Sequence, residues 1–284
     1  MHELDDTNWF NEQGPAPIVE PANLNVKQCI YCGDTNSKLT REHILPRGLG
    51  GNVALAGQTQ AFVLQKATCE LCRRITSLIE NDCLRANRDY ARARLGFKRK
   101  DRQPPKMEMI FDLPDGSTGR TNVDADDVLG PITIPSYYEA GALSNRSFPD
   151  SPAPCDYHMI VVASARGEIL EQSPRVGVEL RCDSKMFARM LAKIALGAAV
   201  ARFGIKGFQP TVRNFILRDQ NEGGHWVGGF AGAERRPLPS TQLHRIRVMT
   251  RTLAAGTFII VEVQLFAQHG APTNYVVVGK PLNN

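Results

Sequence analysis

The sequence has no long uncharged apolar run. A helix that crosses a bilayer needs about 20 such residues, and no stretch of this chain approaches that. The N-terminal "MHELDDTNWFNEQ" is acidic, where an export leader would be basic and then apolar. A membrane role is therefore not expected, and the expected location is the cytoplasm. There is no internal repeat, which argues against solenoids and propellers. Nor is there any extreme of composition: 42% hydrophobic and 22% charged residues fit an ordinary globular protein rather than a disordered or fibrous one. A chain of 284 residues can bury a proper core without covalent staples, and two domains are expected of it.

Positive charge is modest in total, with a formal net of +5, but it is unevenly distributed. Between Arg85 and Lys106 stand Arg85, Arg88, Arg92, Arg94, Lys98, Arg99, Lys100, Arg102 and Lys106, opposed by Asp89 and Asp101. Such an excess suits a polyanionic partner. Arg85, Arg88, Arg92, Lys98, Arg99 and Lys100 are the candidate contacts to nucleic acid; a solvated helix face with a basic linker is the plainer alternative.

The chain divides into an arm over residues 1–25, broken by Pro15, Pro17 and Pro21, a first unit over 26–103 and a second over 104–284. In the first, Leu71, Ile75, Leu78, Ile79, Leu84 and Tyr90 approximate helical spacing and predict a long helix ending near Gly96. Pro104 and Pro105 then break any helix and mark the boundary.

The second unit opens with a strand and turn at "KMEMIFDLPDGSTG", followed by a loop-rich stretch to about Pro154 and a buried strand at "YHMIVVASARGEIL". Its clearest helix is "DSKMFARMLAKIALGAAVARFG". Asp183 or Ser184 can cap it, Gly204 can end it, and Lys185, Arg189 and Lys193 lie opposite or beside a broad apolar face. Packing on a sheet is the expected role of this helix. Strands are predicted at "TVRNFILRD", "HRIRVMTR", "TFIIVEVQLFAQ" and "TNYVVVGK". "NEGGHWVGGFAG" follows no phosphate-loop pattern and is expected to be a Gly-rich hairpin or surface loop. The second unit is thus expected to be α+β, with a mainly antiparallel sheet and one long helix. His158, His225, His244 and His269 are expected to be surface or strand histidines.

Seven cysteines in a chain with no export signal point to metal rather than disulfides. Cys29-Ile-Tyr-Cys32 and Cys69-Glu-Leu-Cys72 are two Cys-x-x-Cys knuckles. Each aims two sulfurs at one point, and together they supply the tetrahedron that zinc accepts. Cys83, Cys155 and Cys182 look like ordinary thiols. Four sulfurs fill a structural zinc shell, so any chemistry must come from the segment between the knuckles.

That segment contains "TREHILPRGLGGN", residues 40 to 52. The order of knuckle, Glu42-His43-Ile44-x-Pro46, Gly50-Gly51, second knuckle and helix resembles the HNH endonuclease family, over about residues 27 to 80. The resemblance implies a ββα-metal finger holding a structural zinc, and a metal-dependent endonuclease that hydrolyses the phosphodiester bonds of double-stranded DNA. His43 would be the general base and Glu42 the first ligand of a catalytic magnesium or manganese ion. Because adjacent strand residues point opposite ways, Glu42 and His43 can serve one site only at a strand end or twist. Asn52 is the candidate for the family's middle asparagine, which holds the histidine through its backbone.

The family commonly has a His or Asn facing the metal just after the second knuckle or one turn later. Arg73 stands there instead, and a guanidinium has no lone pair to give a cation. Ser77 and Glu80 follow on the same helical face; Glu80 is the candidate second oxygen ligand. Arg73 is then a candidate clamp for the scissile phosphate.

Two rival readings remain open. One is a zinc-stabilised module that grips nucleic acid without cutting it, Arg73 having displaced the catalytic ion. In the other, the second unit senses a protein or small molecule, or pairs with another copy, and the finger is an appended effector; a fragment of residues 1 to 104 would then cut as well as the whole chain.

Overall fold

A computed structural model describes residues 24–50, 63–84, 95, 106–112, 115–124, 131–144, 154–161, 176–177, 182–218, 222–229, 243–253 and 255–282. The architecture is mixed α/β, with mainly antiparallel sheets and few helices among the described residues.

The first knuckle, around Cys29 and Cys32, is a tight turn. Gly33 N donates to Cys29 O at 2.9 Å, with Gly33 at φ 81°, a conformation that costs a glycine nothing. It leads into β1 (Leu39–His43), a short 3-10 turn (Arg47–Leu49), β2 (Val63–Cys69) and α1 (Glu70–Leu84). β1 and β2 pair antiparallel, with a register irregularity between Thr40 and Glu42.

Along α1 the buried residues are Cys72, Thr76, Ile79, Cys83 and Leu84. Leu71 and Leu78, expected on the apolar face, are 69% and 67% exposed. The reason is Cys72: its sulfur belongs to the knuckle cluster, which fixes the rotation of the helix and turns the 72, 76, 79, 83 stripe inward. The expected continuation to Gly96, the basic residues Arg85, Arg88, Arg92, Lys98, Arg99 and Lys100, the arm up to residue 23 and the Pro104–Pro105 boundary lie outside the described residues.

β3 (Lys106–Asp112) pairs with β4 (Thr118–Asp124) and with β7 (Val176–Gly177). The stretch expected to be loop-rich also contains β5 (Pro131–Tyr137) and α2 (Gly141–Ser144). β5 pairs with β6 (Pro154–Val161), whose Tyr157, Met159 and Val161 are exposed, so β6 is not the buried strand that its apolar run suggests.

The long helix α3 (Ser184–Phe203) begins at an Asp183 N-cap, whose carboxylate accepts from Met186 N at 3.0 Å, and ends at Gly204. After β8 (Phe208–Pro210), "TVRNFILRD" is not a strand but α4 (Arg213–Arg218). Val212 just before it and Phe215 and Ile216 within it are buried, an i, i+3, i+4 pattern that a helix turns to one side.

α5 (Gly223–Trp226) and β9 (Val227–Gly229) occupy the described part of the Gly-rich stretch expected to be a hairpin or surface loop. A Cβ at Gly228 would stand 2.2 Å from Ala140 N, and one at Gly229 2.5 Å from Tyr137 O, so these glycines admit close backbone packing against β5 and the segment after it.

The main sheet runs β10 (Arg245–Leu253), β11 (Gly256–Gln264), β12 (Asn274–Pro281), β8, with β9 also on β12. Ile259, Val261 and Val263 of β11 face the larger core with α3, while Phe258 and Ile260 join a second cluster with Ala140 and Tyr275. Burial on both faces explains the unbroken apolar run of this strand. The larger core is continuous from Cys29, Ile30 and Tyr31 through α3 to Val276 and Val278.

Candidate active site

Cys29, Cys32, Cys69 and Cys72 bring their sulfurs within 4.8 Å of one another. A hydrogen bond between Cys29 and Cys72 pulls the Cys29 thiol down to about 4 and pushes the Cys72 thiol well above its usual range. Four sulfurs, those of Cys29, Cys69 and Cys72 buried and that of Cys32 exposed, are compatible with a structural zinc. Ile30 N donates to Ala67 O at 2.8 Å, which ties the first knuckle to β2.

One side of the finger opens into a cleft of about 580 Å³, whose walls include Arg41, Glu42, His43, Arg47, Arg73, Ser77 and Glu80. His43 is the last residue of β1 and follows the irregular register at Glu42, which is how adjacent residues come to serve one cleft. On α1, Arg73, Ser77 and Glu80 follow at helical spacing beside the buried stripe and line the opposite wall. Asn52 lies outside the described residues.

Burial, then the charges of Arg47 and Lys193, depress the His43 imidazole to about 4, and its Nδ1 is buried with no hydrogen-bond partner. The ring is thus neutral at pH 7, with a lone pair available to accept a proton. Arg73 donates to Glu70 through Nε at 2.9 Å and through its terminal nitrogen at 2.7 Å, and Arg74 joins the same carboxylate at 3.0 Å. Half-exposed on the cleft wall, Arg73 is anchored by a residue of its own helix.

The acidic pair has a partner that sequence reasoning passed over. Lys193 of α3, 1% exposed, places Nζ 2.8 Å from Glu42 Oε1 and 2.7 Å from Glu80 Oε1. The same ammonium donates to the carbonyl oxygens of His43 and Ile44. Burial opposes its charge, yet the two carboxylates outweigh that and raise Lys193 to about 12. Burial conversely raises the Glu42 carboxyl above its usual range, against the pull of Lys193. In the sequence, Lys193 looked like a flank residue of a sheet-packing helix. Its signal was a lysine within a run of apolar and small residues, where an unpaired charge could not stay.

Two further residues bind the finger's backbone from the C-terminal half. Arg213 Nε donates to Ile30 O at 2.8 Å. His244, expected to be a surface or strand histidine, is buried, with Nε2 2.7 Å from Leu49 O and Nδ1 accepting from Phe266 N at 3.0 Å.

Among the described residues, the cysteine quartet is the one group of three or more potential ligands within reach of a common metal ion. Glu42 and Glu80, expected as ligands of a divalent ion, converge as placed on the Lys193 ammonium. No family model, curated protein or solved structure matches the chain.

Proposed function

We propose that the protein is a nuclease of the HNH type, hydrolysing phosphodiester bonds of double-stranded DNA, with His43 as general base. The observation that carries this reading is the imidazole of His43 at a strand end, neutral at pH 7, in the wall of an open cleft that also holds Arg41, Arg47 and Arg73. The order of elements, β1, β2 and α1 closed by four cysteines, is consistent with the finger that the sequence resembles.

In the proposed reaction a water molecule is deprotonated by His43, and the resulting hydroxide attacks phosphorus. One ester oxygen then leaves and takes a proton from solvent. Arginines in the cleft wall suit the phosphate's charge, Arg73 by a planar fork that matches two of its oxygens. A phosphate beside His43 also raises the imidazole pKa from its depressed value, making it a better base when substrate is bound. A magnesium or manganese ion, where bound, supplies charge neutralisation at the phosphate; because the acidic pair is engaged by Lys193, no step above depends on one.

A second reading has a specific observation behind it. The ammonium between Glu42 and Glu80 favours a module that binds nucleic acid without cutting it. Plasmid nicking by the purified chain separates the two, measured with magnesium, with manganese and in chelator. Cleavage that disappears in His43→Ala supports the nuclease; salt-sensitive DNA binding with no nicks under any condition supports the module.

A further inference from the structure

We propose that Lys193 is the positioning residue of this site. Delivered by α3 from the C-terminal half of the chain, its ammonium holds the backbone of His43 and both acidic side chains, so that the cleft is complete only when the two halves are folded together. The inference deepens the nuclease reading and rests on it for the word "positioning".

A buried ammonium is expensive to desolvate, and a methionine or leucine would fill a similar volume at this buried position. Lys193 instead has four oxygen partners, all from the finger: the carboxylates of Glu42 and Glu80 and the carbonyls of His43 and Ile44. They come from β1, from the turn after it and from α1, so a single Nζ fixes the spacing of the two cleft walls. The donor lies 150 residues from His43 in the chain.

A second contact on the same helix face supports the assignment. A Cβ at Gly197, one turn after Lys193, would stand 3.1 Å from Ile44 Cγ1. Glycine there lets α3 approach the turn that follows the histidine. The resemblance assigns to an asparagine the task of holding the histidine through its backbone; here a lysine on another element donates to that backbone.

The test uses the full chain. Lys193→Met keeps the length and removes the charge and the donors. Because it leaves Glu42 buried without a counter-charge, Lys193→Met/Glu42→Gln is made beside it, with Glu42→Gln alone as its reference. Zinc content and thermal unfolding report folding, steady-state nicking separates kcat from KM, and the ring C–H resonances of His43, assigned with His43→Gln, report how that side chain is held.

In a folded variant, kcat is expected to fall about a hundredfold, the scale of a misplacement near 1 Å, with KM within threefold. The His43 signals are expected to shift and broaden while those of His225 stay in place. A variant that folds with full zinc, nicks within threefold of its reference and leaves the His43 signals unmoved would overturn the proposal. Should the parent cut no DNA, the nuclease reading falls by itself; the His43 resonances then decide whether Lys193 positions that ring.

Discussion

His43 ends β1 with its ring half-buried and its imidazole depressed to about 4. Below that value the ring is protonated and has no lone pair to accept a proton. Nicking is therefore expected to rise through about pH 4 and to stay level toward neutrality, in a profile of kcat/KM against pH. Replacing His43 by alanine should lower kcat by about 10²–10⁴-fold, the range for a lost general base, with zinc content and melting temperature near the parent's.

His244 makes a separate prediction at the same scale. Burial holds it near 4 in the folded chain, against 6.5 as its ordinary value. A depressed pKa contributes stability that is fully present above pH 6.5 and is lost as pH falls toward 4. At 1.36 kcal/mol per unit the loss is about 3 kcal/mol. His244→Gln cannot titrate, so urea unfolding of the variant between pH 7 and pH 4.5 should depend less steeply on pH than the parent's.

Residue chemistry was legible in the sequence where it is local. Glu42 adjoins His43, and each Cys-x-x-Cys knuckle announces itself within four positions. Lys193, Arg213 and His244 do not, because their partners lie 150, 183 and 195 residues away.

Elements followed the same division. α3 carries its own instructions, an Asp183 cap, a Gly204 stop and an apolar run, and it forms where those signals put it. Asp183→Ala should cost about 1 kcal/mol, the worth of a lost N-cap, seen in urea unfolding with zinc content unchanged. α4 and the burial of β6 were misread because short apolar runs do not distinguish helix from strand, or core from surface, without knowledge of what covers them. The rotation of α1 was hidden for another reason: the cysteine quartet, not the apolar pattern, decides which side of that helix turns inward. Gly197 brings α3 against Ile44 in the turn after β1. Leucine there would drive its side chain into Ile44, and overpacking of about 1–3 kcal/mol is expected, together with a fall in kcat because the strained contact adjoins His43.

At the scale of the whole molecule, the larger core is shared. Cys29, Ile30 and Tyr31 pack in one cluster with α3, β11 and β12, and Lys193, Arg213 and His244 bind the finger's backbone from the other half. A finger appended to an independent sensor would not need those bonds. A fragment of residues 1–104 is accordingly expected to show no cooperative unfolding and no cleavage, where an autonomous effector would keep both. Zinc removal should be felt beyond the finger too. Cys72→Ser, by metal analysis and thermal unfolding, is expected to lose the zinc and more than about 10 °C in melting temperature, since Cys72 and Cys29 belong to that same core.

The central claim is that His43 takes a proton from water at a phosphodiester. The measurement that bears on it most directly is conversion of supercoiled plasmid to nicked circles by the purified chain, run with magnesium, with manganese and with chelator, beside a folded, zinc-replete His43→Ala. The account predicts nicking by the parent in at least one of these conditions and a loss of at least about a hundredfold in the variant. Equal nicking by both proteins, or none by the parent in any condition, would contradict it.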